Sequence, residues 1–287
     1  MEKDIFLNGV GDVGPVREHQ YLAAAKLGNF DLYYEVHGEG PAIVFAHGGG
    51  GNHLSWWQQV PVFSQHYKCI TFDHRSFGYS RDVANGPGAL AYIQDLKALL
   101  DKLGIDKVAL VAQSMGGWTA LGFTAAYPDR VTALVMADTP GGIDDPEIKA
   151  LQTKNHQERV RTGNTGLLDA VSEGFRNRDP IHTFLYREIT ALTINPDPER
   201  RSKMAEFKTD IRPILAKRVP VLFIVGEQDV LVPPPIIEAM HRKMPGSKLV
   251  KIPDAGHSVY FEKPNEFNQV VMQFLQEHTG ATPSKHR

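Results

Sequence analysis

The chain has 287 residues, of which 42% are hydrophobic and 22% charged, enough apolar material for one large buried core. A formal net charge of -2 leaves no basic field to hold nucleic acid or an anionic membrane. The single cysteine, Cys69, excludes an internal disulfide and any multi-cysteine metal site.

In chain order, residues 1–20 read as a polar N-terminal extension, because Gly, Asp and Pro alternate through Pro15 with neither the basic start nor the apolar run of a secretory signal. No later stretch approaches the ~20 apolar residues that span a bilayer, so a soluble, cytoplasmic protein is expected. Leu32–Val36 alternates like a strand, and Ala42–Ala46 and Cys69–Phe72 are short buried runs, with Cys69 read as a structural thiol. Ala91–Leu103 is helical, its Leu96, Leu99, Leu100 and Leu103 forming one stripe. The strands Val108–Ala112 and Val131–Met136 follow. The alternation then breaks between Thr139 and about Pro213, where Pro140-Gly141-Gly142 opens a charged, strand-poor stretch with helices expected over Pro146–Arg161 and Pro198–Lys208. Leu151, Leu167, Leu168, Val171, Phe175, Phe184, Leu185 and Tyr186 give this stretch too much apolar surface for a disordered linker, so 139–213 is read as a helical cap insertion. Strands resume at Val219–Val225 and Ser247–Ile252, with helices at Ile236–Met240 and Glu266–Glu277, and residues 281–287 form a tail. Strand–helix alternation over 21–138 and 214–280 predicts an α/β core, a mainly parallel sheet flanked by helices.

The segment Val108-Ala109-Leu110-Val111-Ala112-Gln113-Ser114-Met115-Gly116-Gly117 carries the chemistry. A buried strand runs into a serine flanked by small residues, and a helix-forming stretch follows at once, as in a nucleophile elbow. The competing reading is a small-residue turn that only packs a helix on a strand. Upstream lies His47-Gly48-Gly49-Gly50-Gly51-Asn52; no Gly-Lys-Ser/Thr ending makes it a phosphate loop, and His47 and His53 have no third metal ligand nearby in sequence.

With these motifs the chain resembles the α/β-hydrolase superfamily over nearly its whole length outside the first ~20 residues and the cap. The resemblance implies an α/β-hydrolase fold with Ser114 as nucleophile, and an oxyanion hole made by the backbone N–H groups of Gly49 and Met115. It also assigns loop-bracing roles to His47, Asp73 and Arg75; in the segment Asp73-His74-Arg75-Ser76-Phe77-Gly78, Ser76 replaces the family's glycine. Gly226-Glu227-Gln228-Asp229 matches the family turn that carries the acid, with Asp138 as a rival after the preceding strand. Asp254-Ala255-Gly256-His257 matches the turn that carries the base. The order Ser114, Asp229, His257 is that of α/β hydrolases.

The implied activity is that of a serine hydrolase, a carboxylesterase or lactonase, acting through an acyl-enzyme on a small, mainly hydrophobic ester or lactone without metal or organic cofactor. Alternatives are a carbon–carbon bond hydrolase of ring-cleavage products, weakened by the absence of its H-G-x-G-P-G loop, a cofactor-free haloperoxidase or perhydrolase, and a ligand receptor that keeps a hydrolase pocket. Phe184 and Tyr186 of the cap are expected to line the substrate pocket, whereas Trp118 is expected to pack in the core.

Overall fold

The structure is a computed structural model that describes residues 23–27, 30–83, 86–164, 166–193 and 203–280; the expected extension 1–20 and tail 281–287 fall outside these, as does the first half of the helix expected over Pro198–Lys208. Its strands are β1 (Ala23–Leu27), β2 (Phe30–His37), β3 (Ala42–Ala46), β4 (Lys68–Phe72), β5 (Val108–Gln113), β6 (Val131–Ala137), β7 (Val221–Gly226) and β8 (Lys248–Ile252). They form one eight-stranded sheet in the order β1-β2-β4-β3-β5-β6-β7-β8. The β1–β2 and β2–β4 pairs are antiparallel and every later pair is parallel.

Among the described residues the α-helices are α1 (Val60–Phe63), α2 (Tyr92–Lys102), α3 (Gly116–Ala126), α4 (Pro146–Thr162), α5 (Glu173–Arg178), α6 (Pro180–Ala191), α7 (Arg212–Ala216), α8 (Pro234–Lys243), α9 (Val259–Glu262) and α10 (Pro264–Thr279). The two-residue period of β5 shows how the layers form: Val108, Leu110 and Ala112 join a core with Leu96 and Leu99 of α2, Phe123 of α3 and Met240 of α8. Ala109 and Val111 face the opposite core, with Phe63 of α1 and Phe267, Val271 and Phe274 of α10. A strand buried on both faces reads as a continuous apolar run, which is why β5 shows no alternation of polarity.

Between β6 and β7 the chain is helical. Asp145 caps α4 by accepting from the N–H groups of Glu147 and Ile148, Pro146 opens the helix, and Gly163 at φ 76° ends it. Where a helix is expected over Pro198–Lys208, the described part holds a short 3₁₀ turn at Lys203–Glu206. Asn52 Nδ2 donates to the Ile189 carbonyl at 2.8 Å, and Asn155 Nδ2 to the carbonyls of Val230 and Leu231, so these helices lie over the carboxyl ends of the strands.

Candidate functional site

The site assembles where the parallel strands end. β5 runs into Ser114, whose φ of 49° is a left-handed conformation rare for a residue with a side chain, and α3 begins two residues later. Backbone bonds hold the turn on both sides: the Ser114 N–H donates to the Ala137 carbonyl at 3.0 Å, and the Gly117 N–H to the Ser114 carbonyl at 2.9 Å. Glycine at 116 is a packing requirement, because a Cβ there would stand 2.1 Å from the Ala46 carbonyl oxygen. Ala112 is fully buried at the matching position on the other side of the turn.

Two further strand ends bring the partners of Ser114. Asp229, after β7, is 3% exposed; its Oδ1 accepts from the N–H groups of Leu231 at 2.7 Å and Val232 at 2.9 Å. Its Oδ2 lies 2.8 Å from Nδ1 of His257, after β8, and His257 Nε2 lies 2.8 Å from the Ser114 Oγ. A carboxylate can only accept, so Nδ1 carries the ring proton and Nε2 offers its lone pair to the serine hydroxyl. Asp138, the rival acid, is bonded elsewhere. It is fully buried after β6 at φ 52°, and its Oδ1 accepts the Gly226 N–H at 3.0 Å. Burial, reinforced by the nearby charge of Asp229, raises its carboxyl well above the usual carboxylate range.

The glycine loop after β3 is oriented by His47. Burial lowers that imidazole to about 4, so it is neutral; its Nε2 accepts the His74 N–H at 2.9 Å while Nδ1 donates to the Gly48 carbonyl at 2.8 Å. In a trans peptide the Gly49 N–H points opposite to that carbonyl, away from His47. Gly49 and Met115, the expected oxyanion donors, line one cavity with Ser114 and His257. Asp73 accepts from the backbone N–H groups of His53 and Tyr79, and Arg75 binds Asp95 and Asp82; none of these lines that cavity. Ser76 takes φ 70°, so the serine adopts the left-handed conformation for which glycine is suited.

The cavity has a volume of about 560 Å³ and is lined mainly by apolar groups, including Met115, Ile189, Leu231, Tyr260 and Phe261. Of the two cap aromatics expected there, Tyr186 is on its wall and Phe184 is not. Phe184 is 56% exposed, its ring 5.0 Å from the Arg187 guanidinium. Two residues along a helix is a turn of about 200°, so once Tyr186 faces inward Phe184 must face water. Trp118 is a second correction: it lines the cavity, because the first turn of α3 faces the cleft that Ser114 opens.

Sequence reasoning also missed the polar ties around His257. Gln113 Nε2 donates to the His257 carbonyl at 2.8 Å. The Glu262 carboxylate, 6% exposed, accepts the Gly256 N–H at 2.9 Å and the Ser172 N–H at 3.0 Å, joining the loop of His257 to the start of α5. Burial raises the Glu262 carboxyl above its ordinary range, against the hydrogen bonds that lower it. Tyr186 Oη and Ser258 Oγ are 2.9 Å apart, a second tie from the cap to the same loop. Only the spacing of Glu262 after His257 was visible in sequence, and spacing does not show which backbone groups a buried carboxylate meets.

Comparisons with known proteins bear on this geometry. The profile of a family described as "Alpha/beta hydrolase family" matches residues 43–270. The structure of an esterase from Thermogutta terrifontis is 29% identical, with 90% of this chain and 97% of that chain covered at a TM-score of 0.72. A bromoperoxidase from Bacillus anthracis is 28% identical, with 88% and 99% covered at 0.72. An enol-lactonase from Burkholderia xenovorans is 25% identical, with 88% and 100% covered at 0.72.

Proposed function

Since the chain belongs to the alpha/beta hydrolase family, we propose that this hydrolase works by a serine mechanism on a small carboxylic ester or lactone. The observation that carries this reading is His257, held 2.8 Å from both the Ser114 Oγ and the Asp229 carboxylate. In the proposed cycle His257 Nε2 takes the Ser114 proton as Oγ attacks the acyl carbon. Asp229 fixes the tautomer and stabilises the imidazolium. The oxyanion is received by the N–H groups of Gly49 and Met115 at the start of α3, where the helix dipole favours negative charge; one such donor is typically worth ~2.7–4 kcal/mol of barrier. The imidazolium then protonates the leaving alcohol, and a water deprotonated by His257 cleaves the acyl-enzyme to the acid and free Ser114.

Similarity to the esterase and the enol-lactonase supports an ester or lactone substrate. Similarity to the bromoperoxidase supports a second reading, in which hydrogen peroxide in place of water intercepts the acyl-enzyme and releases a peracid. A fluorophosphonate probe should label Ser114 alone, and Ser114→Ala should lose both labelling and turnover of an ester and lactone panel read by product mass. Labelling at another residue, or an active alanine variant, refutes the mechanism. Peracid formation with added peroxide separates the two readings.

A further inference from the structure

Among the described residues that line the cavity, Arg159 is the only one that is an Asp, Glu, Lys or Arg. It lies near the end of α4, one turn after Asn155, whose side chain bonds the carbonyls of Val230 and Leu231 beside Asp229. Residues four apart on a helix share a face, so the contact that seats α4 over the Asp229 loop also turns Arg159 toward the cavity. Its Nε donates to the Asn164 carbonyl at 3.0 Å, which fixes the plane of the guanidinium while the two terminal nitrogens make no ion pair with any described residue. The neighbouring carboxylates are engaged elsewhere: Glu158 binds Arg161 through both oxygens, and Asp169 accepts the Gly166 N–H at 2.7 Å and faces Arg176. A half-buried guanidinium fork thus faces a mainly apolar chamber whose other described lining residues include no Asp, Glu or Lys. Desolvating such a group is unfavourable unless an anion meets it, and the planar anion that matches two parallel N–H donors is a carboxylate.

Resting on the serine-hydrolase reading above, we propose that the substrate is an ester or lactone that also bears a free carboxylate, which Arg159 binds while Ser114 attacks the acyl carbon. The carboxylate is not consumed; it sets the pose. Apolar walls select the body of the substrate, and Arg159 selects its charged end.

The test uses the full chain and two matched pairs of activated esters. One pair is para-nitrophenyl hydrogen glutarate and the neutral ester with isopropyl in place of the carboxylate. The other carries the charge on the alcohol side, para-carboxyphenyl acetate against para-isopropylphenyl acetate. In at least one pair the carboxylate ester should be preferred by about 10- to 100-fold in kcat/KM, the range expected for a hydrogen-bonded charge pair. Arg159→Met should abolish that preference mainly through KM, Arg159→Lys should restore part of it, and neither should slow phosphonylation of Ser114 by a small neutral probe. Preference for the neutral ester in both pairs, or a carboxylate preference that survives Arg159→Met, overturns the proposal. If Ser114 is not labelled at all, the hydrolase mechanism fails instead, and the two failures are distinguishable.

Discussion

Replacing Asp229 by asparagine is the sharpest test of the hydrogen-bond chain, because the structure determines which way the new amide points. Asp229 Oδ1 accepts two backbone N–H groups, at 2.7 and 2.9 Å, while Oδ2 meets the His257 ring. An asparagine can keep both backbone bonds only by placing its oxygen there and its NH₂ against Nδ1. The flipped amide would leave two partly buried donors facing a third, and at ~1 kcal/mol for each of the two the first orientation is favoured by about 2 kcal/mol, or about 30-fold. An NH₂ at Nδ1 requires that nitrogen to accept, which moves the ring proton to Nε2, 2.8 Å from the Ser114 Oγ. In the proposed cycle His257 is then already protonated where it must receive a proton. The expected loss is about 10⁴-fold in kcat, or ~5.4 kcal/mol of barrier. Steady-state kcat on para-nitrophenyl acetate, with circular dichroism as the check on folding, measures it. Asp138→Asn is the control, since Asp138 bonds Gly226 rather than His257, and it should stay within about tenfold of wild type. An Asp229→Asn enzyme within tenfold of wild type, or an equal loss at Asp138, refutes the reasoning.

Other outcomes follow from the same geometry. Glu262→Gln keeps the size of the side chain but turns one of two acceptors toward an N–H as a donor, so the Gly256–Ser258 loop should loosen and kcat fall about 10-fold with KM little changed; an unaltered kcat counts against a positioning role. Tyr186→Phe should change selectivity among ester acyl chains and Phe184→Ala should not, because only the first side chain reaches the cavity; the reverse pattern would place the pocket elsewhere. The raised carboxyl of Asp138 favours its neutral form in the fold. Its contribution to stability is therefore complete below the unfolded value near pH ~4 and is lost as pH rises through the raised folded value. Asp138→Asn cannot ionise, so its stability, from urea titrations at a series of pH values, should fall less steeply than wild type across that window; parallel profiles would mean the carboxyl is not perturbed.

What was legible in sequence is what depends on local chain chemistry. The Ser114 elbow, the Asp229 turn and the Gly256-His257 turn each need small residues or a glycine at fixed offsets, because neighbouring backbone comes within about 2.1 Å of where a Cβ would stand at Gly116 and Gly226. β1 was missed, since Ala23-Ala24-Ala25-Lys26-Leu27 has no alternation and becomes a strand only by pairing with β2. The strand expected from Val219 begins at Val221, because Pro220 has no N–H to enter the ladder, although its carbonyl still accepts from Leu134. Side-chain direction in the cap was not legible. Whether Phe184, Tyr186 or Arg159 faces the cavity depends on how α4 and α6 roll on the core, and contacts distant in sequence, such as Asn155 to Leu231 and Tyr186 to Ser258, decide that.

The division between strand ends and cap has an energetic basis. Three side-chain-bearing residues with positive φ, Ser114, Asp138 and Asp254, lie just past the carboxyl ends of β5, β6 and β8. Each such conformation costs roughly 1–3 kcal/mol and persists only where the surroundings over-determine it. Here β5 is buried along its entire length, and β6 nearly so, so the turns they feed cannot relax without breaking the core. The cap is joined to those ends through a few polar ties, at Asn52, Asn155, Tyr186 and Glu262, and through the rings of Phe175 and Tyr186 against Phe261. Such ties leave the cap helices free to vary in sequence without disturbing the geometry of Ser114, whereas the strained turns leave no such freedom. Substitutions in the strand-end turns should therefore appear in kcat, and substitutions on the inner face of α4 and α6 in KM and selectivity. Glu262 and Tyr186 are the exceptions: each ties the loop of His257 to the cap, and there a change reaches the base of the proposed cycle.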